Sequence, residues 1–257
     1  MHLTFATIIF LVLAAGFAGF VDAVAGGGGL VQLPALLIGL SGKPIPLILG
    51  TNKVPSIFGT STAAFRYFKK VRPDKTVGIA MAVPAFIASL IGAHIATHIP
   101  TKVFQPVIFA ALILVALYTW KKPQLGMNEK LKFHGNQRLI LVAVMGAVIG
   151  LYDGIFGPGT GTFLVFLLVG VVGYEFLKAS ATAKLVNIST NLGAIITFQS
   201  TGHIWWEIGL PLALANITGA IIGSHLAIKG GSPWVRKVFL LVVVALIVKV
   251  GYSFFSS

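Results

Sequence analysis

Two lysines and two aspartates lie in apolar surroundings at positions that could do chemistry together. Lys53 and Lys184 are a few residues into hydrophobic segments, and Asp22 and Asp153 fall near the ends of two others. If such segments span a bilayer, an ammonium group there costs about 2.5–3.5 kcal/mol on insertion scales. An anionic ligand or the two aspartates could offset that cost. Snorkelling of each lysine to the membrane interface is the structural alternative.

A glycine cluster follows each aspartate. Glycine lets backbone N–H groups approach a ligand, and a helix that begins there presents its positive end, so an anion is the expected occupant. Close helix packing is the alternative, and we expect it for scattered glycines such as Gly16 and Gly219. The clusters consist of Gly26, Gly27, Gly28 and Gly29, and of Gly157, Pro158, Gly159 and Thr160.

The aspartates and two histidines are candidates for ion coupling. Asp22 and Asp153 could carry a proton, or could stay ionised and cap the helix that follows. His94 and His225 could relay protons, or could be hydrogen-bonded packing residues near loops.

Neutral polar side chains near the lysines could hydrogen-bond the oxygens of an anion, with interhelical hydrogen bonding as the alternative. We therefore include several in the predicted substrate site. They are Thr51 and Asn52 before Lys53, Thr182 before Lys184, and Asn187, Asn191, Gln32 and Thr160.

The composition shows which elements must position these residues. Of 257 residues, 56% are hydrophobic and 10% are charged, with a mean hydropathy of +0.95. Such a chain does not fold in water, and its long apolar stretches predict a polytopic, all-α membrane protein. An excess of Lys and Arg usually marks cytoplasmic loops in membrane proteins, so we do not expect nucleic-acid binding. The chain has no cysteine, which excludes disulfides and thiolate metal sites.

Ten hydrophobic segments are expected, with bounds uncertain by about two to four residues. Segments two and seven are short for a membrane crossing and begin in glycine, so each is a half-helix, a re-entrant loop or a tilted crossing. The segments are 3–24, 28–40, 46–65, 76–97, 102–120, 138–156, 159–172, 178–199, 206–228 and 234–254.

The second half of the chain repeats the first at an offset of 131 residues without a gap. The predicted units are a first repeat at 1–120, a basic cytoplasmic linker at 121–137 and a second repeat at 138–257. The matched pairs include Gly19 with Gly150, Asp22 with Asp153, Gly26 with Gly157, Lys53 with Lys184, Gly92 with Gly223 and His94 with His225.

The distribution of Lys and Arg predicts that the two halves are inverted. If all ten segments cross, fourteen of the nineteen basic residues lie on one side and three on the other, while eight crossings give eleven against six. Five crossings per half turn the second half over and place both termini outside the cytoplasm. Inverted repeats with glycine-interrupted segments are typical of secondary transporters, whose site lies between the repeats.

The motif residues resemble the sulfite exporter TauE/SafE family, also called the toluenesulfonate uptake permease family. The motifs are Gly19-Phe20-Val21-Asp22-Ala23 leading into the first glycine cluster, Pro34-Ala35-Leu36-Leu37, and Gly50-Thr51-Asn52-Lys53. The second copy departs from the first, with Ala183 in place of Asn52 and Pro158 in place of Gly27. The resemblance implies transport of sulfur-containing anions such as sulfite, thiosulfate or organosulfonates across the cytoplasmic (inner) membrane.

We therefore expect a secondary transporter and not an enzyme, without a cofactor or a bound metal, coupled to a proton or other ion gradient. Monomer and homodimer stay open, as does the direction of transport. A channel or transporter for a metal cation is the main alternative, since two acids and two histidines could coordinate a cation. An intramembrane aspartyl hydrolase, with the two acids sharing a proton, is a weaker one.

Overall fold

The computed structural model describes residues 4–98 and 126–255, and this part of the chain is helical without a strand. The predicted all-α fold is therefore confirmed for the described residues. Its helices are α1 (Phe5–Ala25), α2 (Gly28–Gly39), α3 (Ile45–Lys70), α4 (Lys75–Ala96), α5 (Gly135–Ile155), α6 (Thr160–Leu167), α7 (Phe176–Ser200) and α8 (Trp206–Phe255). A π-helical turn, Leu168–Val172, continues α6.

The helices follow the predicted segments with modest shifts of their ends. The third segment is longer than expected and runs to Lys70, because its polar last turns continue the helix beyond the apolar stretch. The ninth and tenth segments form α8, which is broken at Gly231 with φ 65° and ψ −171°. The fifth segment, 102–120, and the start of the linker, 121–125, lie outside the described residues.

Four of the described helices are long and apolar enough to cross a membrane. Their surfaces carry large apolar side chains, and Leu214, for example, is 70% exposed, which suits contact with lipid rather than water. The helices α3 and α7 are also long, with 26 and 25 residues, but they carry the buried lysines and other polar residues. The four spans are Phe5–Ala25, Lys75–Ala96, Gly135–Ile155 and Trp206–Leu241.

The two halves of the chain pack on each other through reciprocal pairs of helices. The most extensive contacts join α4 to α5 and α1 to α8. A Cβ at Gly150 would overlap the backbone of Ala85, and a Cβ at Gly19 would overlap Asn216, which lies 131 residues after Ala85. Small residues let membrane helices approach this closely. The packing role expected for Gly16 and Gly219 is confirmed, because the two lie backbone to backbone.

Several basic connectors gather at one end of the helices, which we call the basic end. The linker meets the connector before α7 where Lys130 N–H donates to Gly173 O at 2.8 Å. The Tyr174 hydroxyl donates to Asp74 before α4 at 2.6 Å. Ser232, beside the break in α8, accepts a hydrogen bond from the Leu177 N–H at 3.1 Å.

Asp74 is the N-cap of α4 and is held as an anion at this end. Its carboxylate accepts the Val77 N–H at 3.0 Å and the Tyr174 hydroxyl, and Arg138 lies 3.8 Å away. Partial burial raises the pKa of Asp74, but these hydrogen bonds and the nearby cations outweigh it and leave the pKa below its usual value.

Candidate functional site

Two buried ion pairs join the halves of the chain crosswise. Lys53 Nζ lies 2.8 Å from Asp153 Oδ2, and Lys184 Nζ lies 3.1 Å from Asp22 Oδ2. The exposed fractions of these side chains are 4% and 3% in the first pair, and 2% and 12% in the second. Each lysine therefore binds the aspartate of the other half, and the four charges sum to zero.

The lysines also bind the ends of broken helices. Lys53 Nζ donates to the backbone carbonyl of Asp153 at 2.8 Å, and Lys184 Nζ donates to that of Asp22. Both carbonyls lie in the last turn of a helix, α5 or α1, where the helix dipole is negative. The Asp22 carbonyl also accepts the Gly26 N–H at 2.9 Å. Each ammonium group thus meets a carboxylate and a helix C-terminus. This arrangement offsets the cost of burying a lysine and differs from snorkelling.

Threonines complete the aspartate contacts. Thr60 Oγ1 donates to Asp22 Oδ2 at 2.9 Å, and Thr160 Oγ1 donates to Asp153 Oδ1 at 2.6 Å. The N-cap residues of α2 and α6 are Gly27 and Gly159, which have no side chain to cap the helix. The carboxylates of Asp22 and Asp153 face lysine and threonine.

The two points at which a helix is interrupted, which we call the breaks, lie against each other. Gly26 ends α1 with φ 75°, and Gly157 follows α5 with φ 84°. A Cβ at Gly26 would overlap the backbone of Gly161, and the Thr162 N–H donates to Gly26 O at 3.1 Å. The half-helices α2 and α6 therefore begin next to each other. Glycine is required where the backbones meet.

A small cavity of about 20 Å³ lies where the breaks and the ion pairs meet. This volume holds about one water molecule. The first turns of α2 and α6 reach it through Gly29, Thr160 and Gly161, and α3 and α7 contribute polar side chains. The lining residues are Asp22, Gly26, Gly29, Asn52, Lys53, Ser56, Asp153, Gly157, Gly159, Thr160, Gly161, Asn187 and Asn191.

Most of the predicted site residues line this cavity, and two that sequence reasoning missed do so as well. Ser56 occupies the position in α3 that Asn187 occupies in α7, 131 residues later, so the repeat could have revealed it. Gly161 lies in the first turn of α6, but the residue that matches it in the repeat is Leu30, so the repeat did not mark it.

Other predicted residues lie beside the cavity rather than in its wall. The Thr51 hydroxyl accepts the Trp205 N–H at 2.9 Å, and the Thr182 hydroxyl accepts the Asp74 N–H at 3.3 Å. These reciprocal bonds tie each half's connector to the other half. Lys184 reaches the site through Asp22. The remaining residues of this kind are Gly27, which precedes α2, Gly28, which packs on Asp22, and Gln32, which accepts a hydrogen bond from Asn216.

The predicted histidines are not brought together with the aspartates. His94 is exposed near the end of α4, where its ring stacks edge-on with His98 at 5.4 Å between centroids. His225 is exposed on α8, and neither histidine lines the cavity. Within the described residues no group of three or more His, Asp or Glu could hold a metal ion. This placement does not favour the metal-cation alternative.

Nearly the whole sequence matches the model of one protein family. A family model described as "Sulfite exporter TauE/SafE" matches residues 11–250. The chain belongs to the sulfite exporter TauE/SafE family. It is therefore a membrane transporter, and its apolar helices suit transmembrane segments.

Curated relatives in the family carry general names. The chain is 34% identical to the "Probable membrane transporter protein ORF9" of Sinorhizobium sp, over 96% of this chain and 93% of the relative. It is 29% identical to a "Probable membrane transporter protein" of Haemophilus influenzae, over 96% and 95%. It is 30% identical to the "Probable membrane transporter protein YfcA" of Escherichia coli, over 95% and 89%. No solved structure matches the chain.

Proposed function

We propose that this transporter moves a small sulfur-containing anion, such as sulfite, thiosulfate or an organosulfonate, and binds it at the cavity between the two ion pairs. The observation that carries the proposal is the pairing of a buried cation with two helix starts. Lys53 lines the cavity together with the first turns of α2 and α6. Ammonium groups and helix N-termini both favour a bound anion. The family's description, which names sulfite, supports this substrate class.

Neutral donors around Lys53 suit the several oxygens of a sulfur oxyanion. Ser56 and Thr160 carry hydroxyl groups in the cavity wall, and Asn52, Asn187 and Asn191 carry amide groups there. Hydrogen bonds from fixed neutral donors can hold an anion without adding charge. We assign substrate binding to these side chains and to the cavity-lining glycines, and leave Thr51 and Thr182 as bonds between the halves.

The cavity is smaller than the proposed substrate, so binding requires a rearrangement. A cavity of about 20 Å³ is too small for an anion of four or more heavy atoms. Lys53 already holds the Asp153 carboxylate at 2.8 Å. We infer that the substrate takes the place of a carboxylate on the lysine. The aspartate side chain therefore acts as an internal substitute for the anion when the substrate leaves.

This exchange also suggests how transport is coupled to protons. A carboxylate that loses its lysine inside the protein is a buried, unpaired charge, which favours protonation. Asp22 or Asp153 would then carry one proton while the anion occupies the lysine. We propose that this proton moves with the substrate and is released when the ion pair forms again.

Alternating access would follow from movement of the two halves about the cavity. Each ion pair joins the halves, as do the α1–α8 and α4–α5 contacts. The distribution of Lys and Arg supports ten crossings in two inverted repeats, with the basic end in the cytoplasm, both termini outside it, and insertion in the inner membrane. The hydrogen bonds that gather the basic connectors at one end agree with this topology.

Counterflow in proteoliposomes tests the proposal. Vesicles loaded with unlabelled sulfite or thiosulfate should accumulate the same labelled anion when they contain the wild-type protein. Asn52→Ala and Ser56→Ala remove only a neutral cavity group and should reduce the rate, whereas Ser61→Ala, at an exposed position of α3, should not. Counterflow of a divalent cation without counterflow of any sulfur anion would contradict the proposal.

A further inference from the structure

A second cavity, far larger than the first, lies between α3 and α8 near the basic end. Its volume is about 480 Å³, within the range of about 300–1,000 Å³ that small-molecule sites occupy. We call it the basic groove. Its walls are Thr62, Phe65, Arg66, Lys69 and Lys70 from α3, and Ile221, His225, Ile228 and Lys229 from α8.

The groove has an apolar part and a cationic part. In both α3 and α8 the apolar residues come earlier in the sequence than the lysines. Lys69 and Lys70 lie in the last turn of α3, and Lys229 lies two residues before the break in α8. Phe65 and Ile221, which come earlier in each helix, are 62% and 41% exposed. Eight residues of helix separate Thr62 from Lys70, which corresponds to about 12 Å. The groove thus presents cations at one end and exposed apolar side chains along its length.

Among the described residues, no acidic side chain forms an ion pair with the cations of the groove. None of the nine lining residues is acidic, and the ion pairs within residues 4–98 and 126–255 use other lysines and Arg138. Lys69 Nζ lies 4.1 Å from the centre of the Phe65 ring, and Arg66 Nε is buried without a hydrogen-bond partner among the described residues. Four cations that converge without a counter-charge favour an anion from outside the protein.

We propose that the basic groove binds an anionic phospholipid. Its phosphate would lie between Arg66, Lys69, Lys70 and Lys229, and one acyl chain would follow Phe65 and Ile221 along the helices. Basic pockets between membrane helices on the cytoplasmic side bind such headgroups, and each nearby Lys or Arg strengthens the attraction. A free inorganic anion would use the cations but not the apolar walls.

Native mass spectrometry of the full-length protein tests this proposal, with phosphatidylglycerol and phosphatidylcholine as probes. We expect phosphatidylglycerol to be retained at one molecule per chain and phosphatidylcholine not to be. The triple variant K69Q/K70Q/K229Q should bind phosphatidylglycerol at least about tenfold more weakly. The matched control K75Q/K130Q/K237Q also removes three exposed lysines but leaves the groove intact, and should bind as wild type does.

A second variant and a second ligand keep the test decisive. Lys69→Gln alone changes one exposed side chain and should weaken binding about fivefold. Inorganic phosphate, measured by thermal stabilisation, should have no effect at the lipid concentrations used. Equal binding by both triple variants, equal retention of the two lipids, or saturable stabilisation by phosphate alone would overturn the proposal. These outcomes are independent of transport, so they leave the substrate site untouched.

Discussion

Lys53 lies 2.8 Å from the Asp153 carboxylate, and the residues 131 positions away, Lys184 and Asp22, form the same pair in the opposite sense. Each pair crosses from one half of the chain to the other. The pairs surround the point where α1 and α5 end and the half-helices α2 and α6 begin. The site is therefore formed by both halves together, and any movement between them must break or remake these contacts.

Removing one partner of a buried pair should be costly to stability. Lys184→Met leaves the Asp22 carboxylate without its cation, and we expect a loss of about 3–5 kcal/mol in the free energy of unfolding. The double variant Lys184→Met/Asp22→Leu removes both charges and should recover most of that loss. Unfolding in detergent measures both values.

A surface ion pair provides the control for this experiment. Lys178 and Glu129 lie 2.9 Å apart, with exposed side-chain fractions of 25% and 33%. Lys178→Met should change stability by only about 0–1 kcal/mol. A double variant as unstable as Lys184→Met alone would show that Asp22 contributes by packing and not through its charge.

The sequence identifies most of the residues that form this site, but it does not show which lysine pairs with which aspartate. Both lysines, both aspartates and the glycine clusters are visible as costly or unusual residues in apolar segments that repeat. Which lysine meets which aspartate depends on how the fold places α3 and α7 relative to the ends of α5 and α1. These contacts lie 100 and 162 residues apart in the chain, and no local pattern encodes them.

The hydrogen bond from Thr60 to Asp22 also depends on packing between helices. The role of Thr60 as a donor to Asp22 follows from the approach of α1 to α3, and nothing in its neighbourhood marks it. The predicted helices, by contrast, follow from apolar length alone, which explains why their ends agree within a few residues except at α3. The histidines matched each other in the repeat, but periodicity does not tell an inward face from one that contacts lipid.

Neutralising the aspartates should separate coupling from binding. Asp22→Asn and Asp153→Asn each remove one of the two groups that we propose to accept the proton, and at least one of these variants should lose stimulation by a pH gradient while exchange of the anion continues. Proteoliposomes measured with and without an imposed gradient give both rates. Glu129→Gln, which removes a surface carboxylate, should retain full stimulation, and full stimulation in both aspartate variants would contradict the coupling role.

Substitution of two glycines with left-handed backbone should separate the stability cost of backbone strain from that of lost close packing. Gly26 and Gly42 have φ values of 75° and 83°, but only Gly26 lies against another backbone, that of Gly161. Gly42→Ala should cost about 1–2 kcal/mol from backbone strain alone. Gly26→Ala should cost about 1–3 kcal/mol more because α1 and α6 must separate. Equal losses in the two variants would show that the contact between the breaks contributes nothing to stability.

Because Tyr174 donates a hydrogen bond to Asp74, we expect the stability difference between the wild type and Tyr174→Phe to depend on pH. The folded-state pKa of Asp74 is lowered, so its stabilisation is complete above its ordinary pKa of about 3.9 and is lost as the pH falls through the folded value. Tyr174→Phe removes one cause of the lowering and should reduce stability at neutral pH by about 1 kcal/mol. The difference from wild type should narrow below about pH 4. A difference that stays constant with pH would assign the effect to packing of the ring.

Ligand-induced thermal stabilisation of the purified protein tests the central claim most directly, since a ligand that binds the folded state raises its apparent stability. The ligands are sulfite, thiosulfate, sulfate, organosulfonates, chloride and divalent metal ions, and each variant is compared with its own midpoint without ligand. We predict a saturable shift with a sulfur anion in the wild type and in Lys178→Met, and none in Lys53→Ala. A shift with divalent metals alone, or an unchanged anion shift in Lys53→Ala, would contradict an anion site at this lysine.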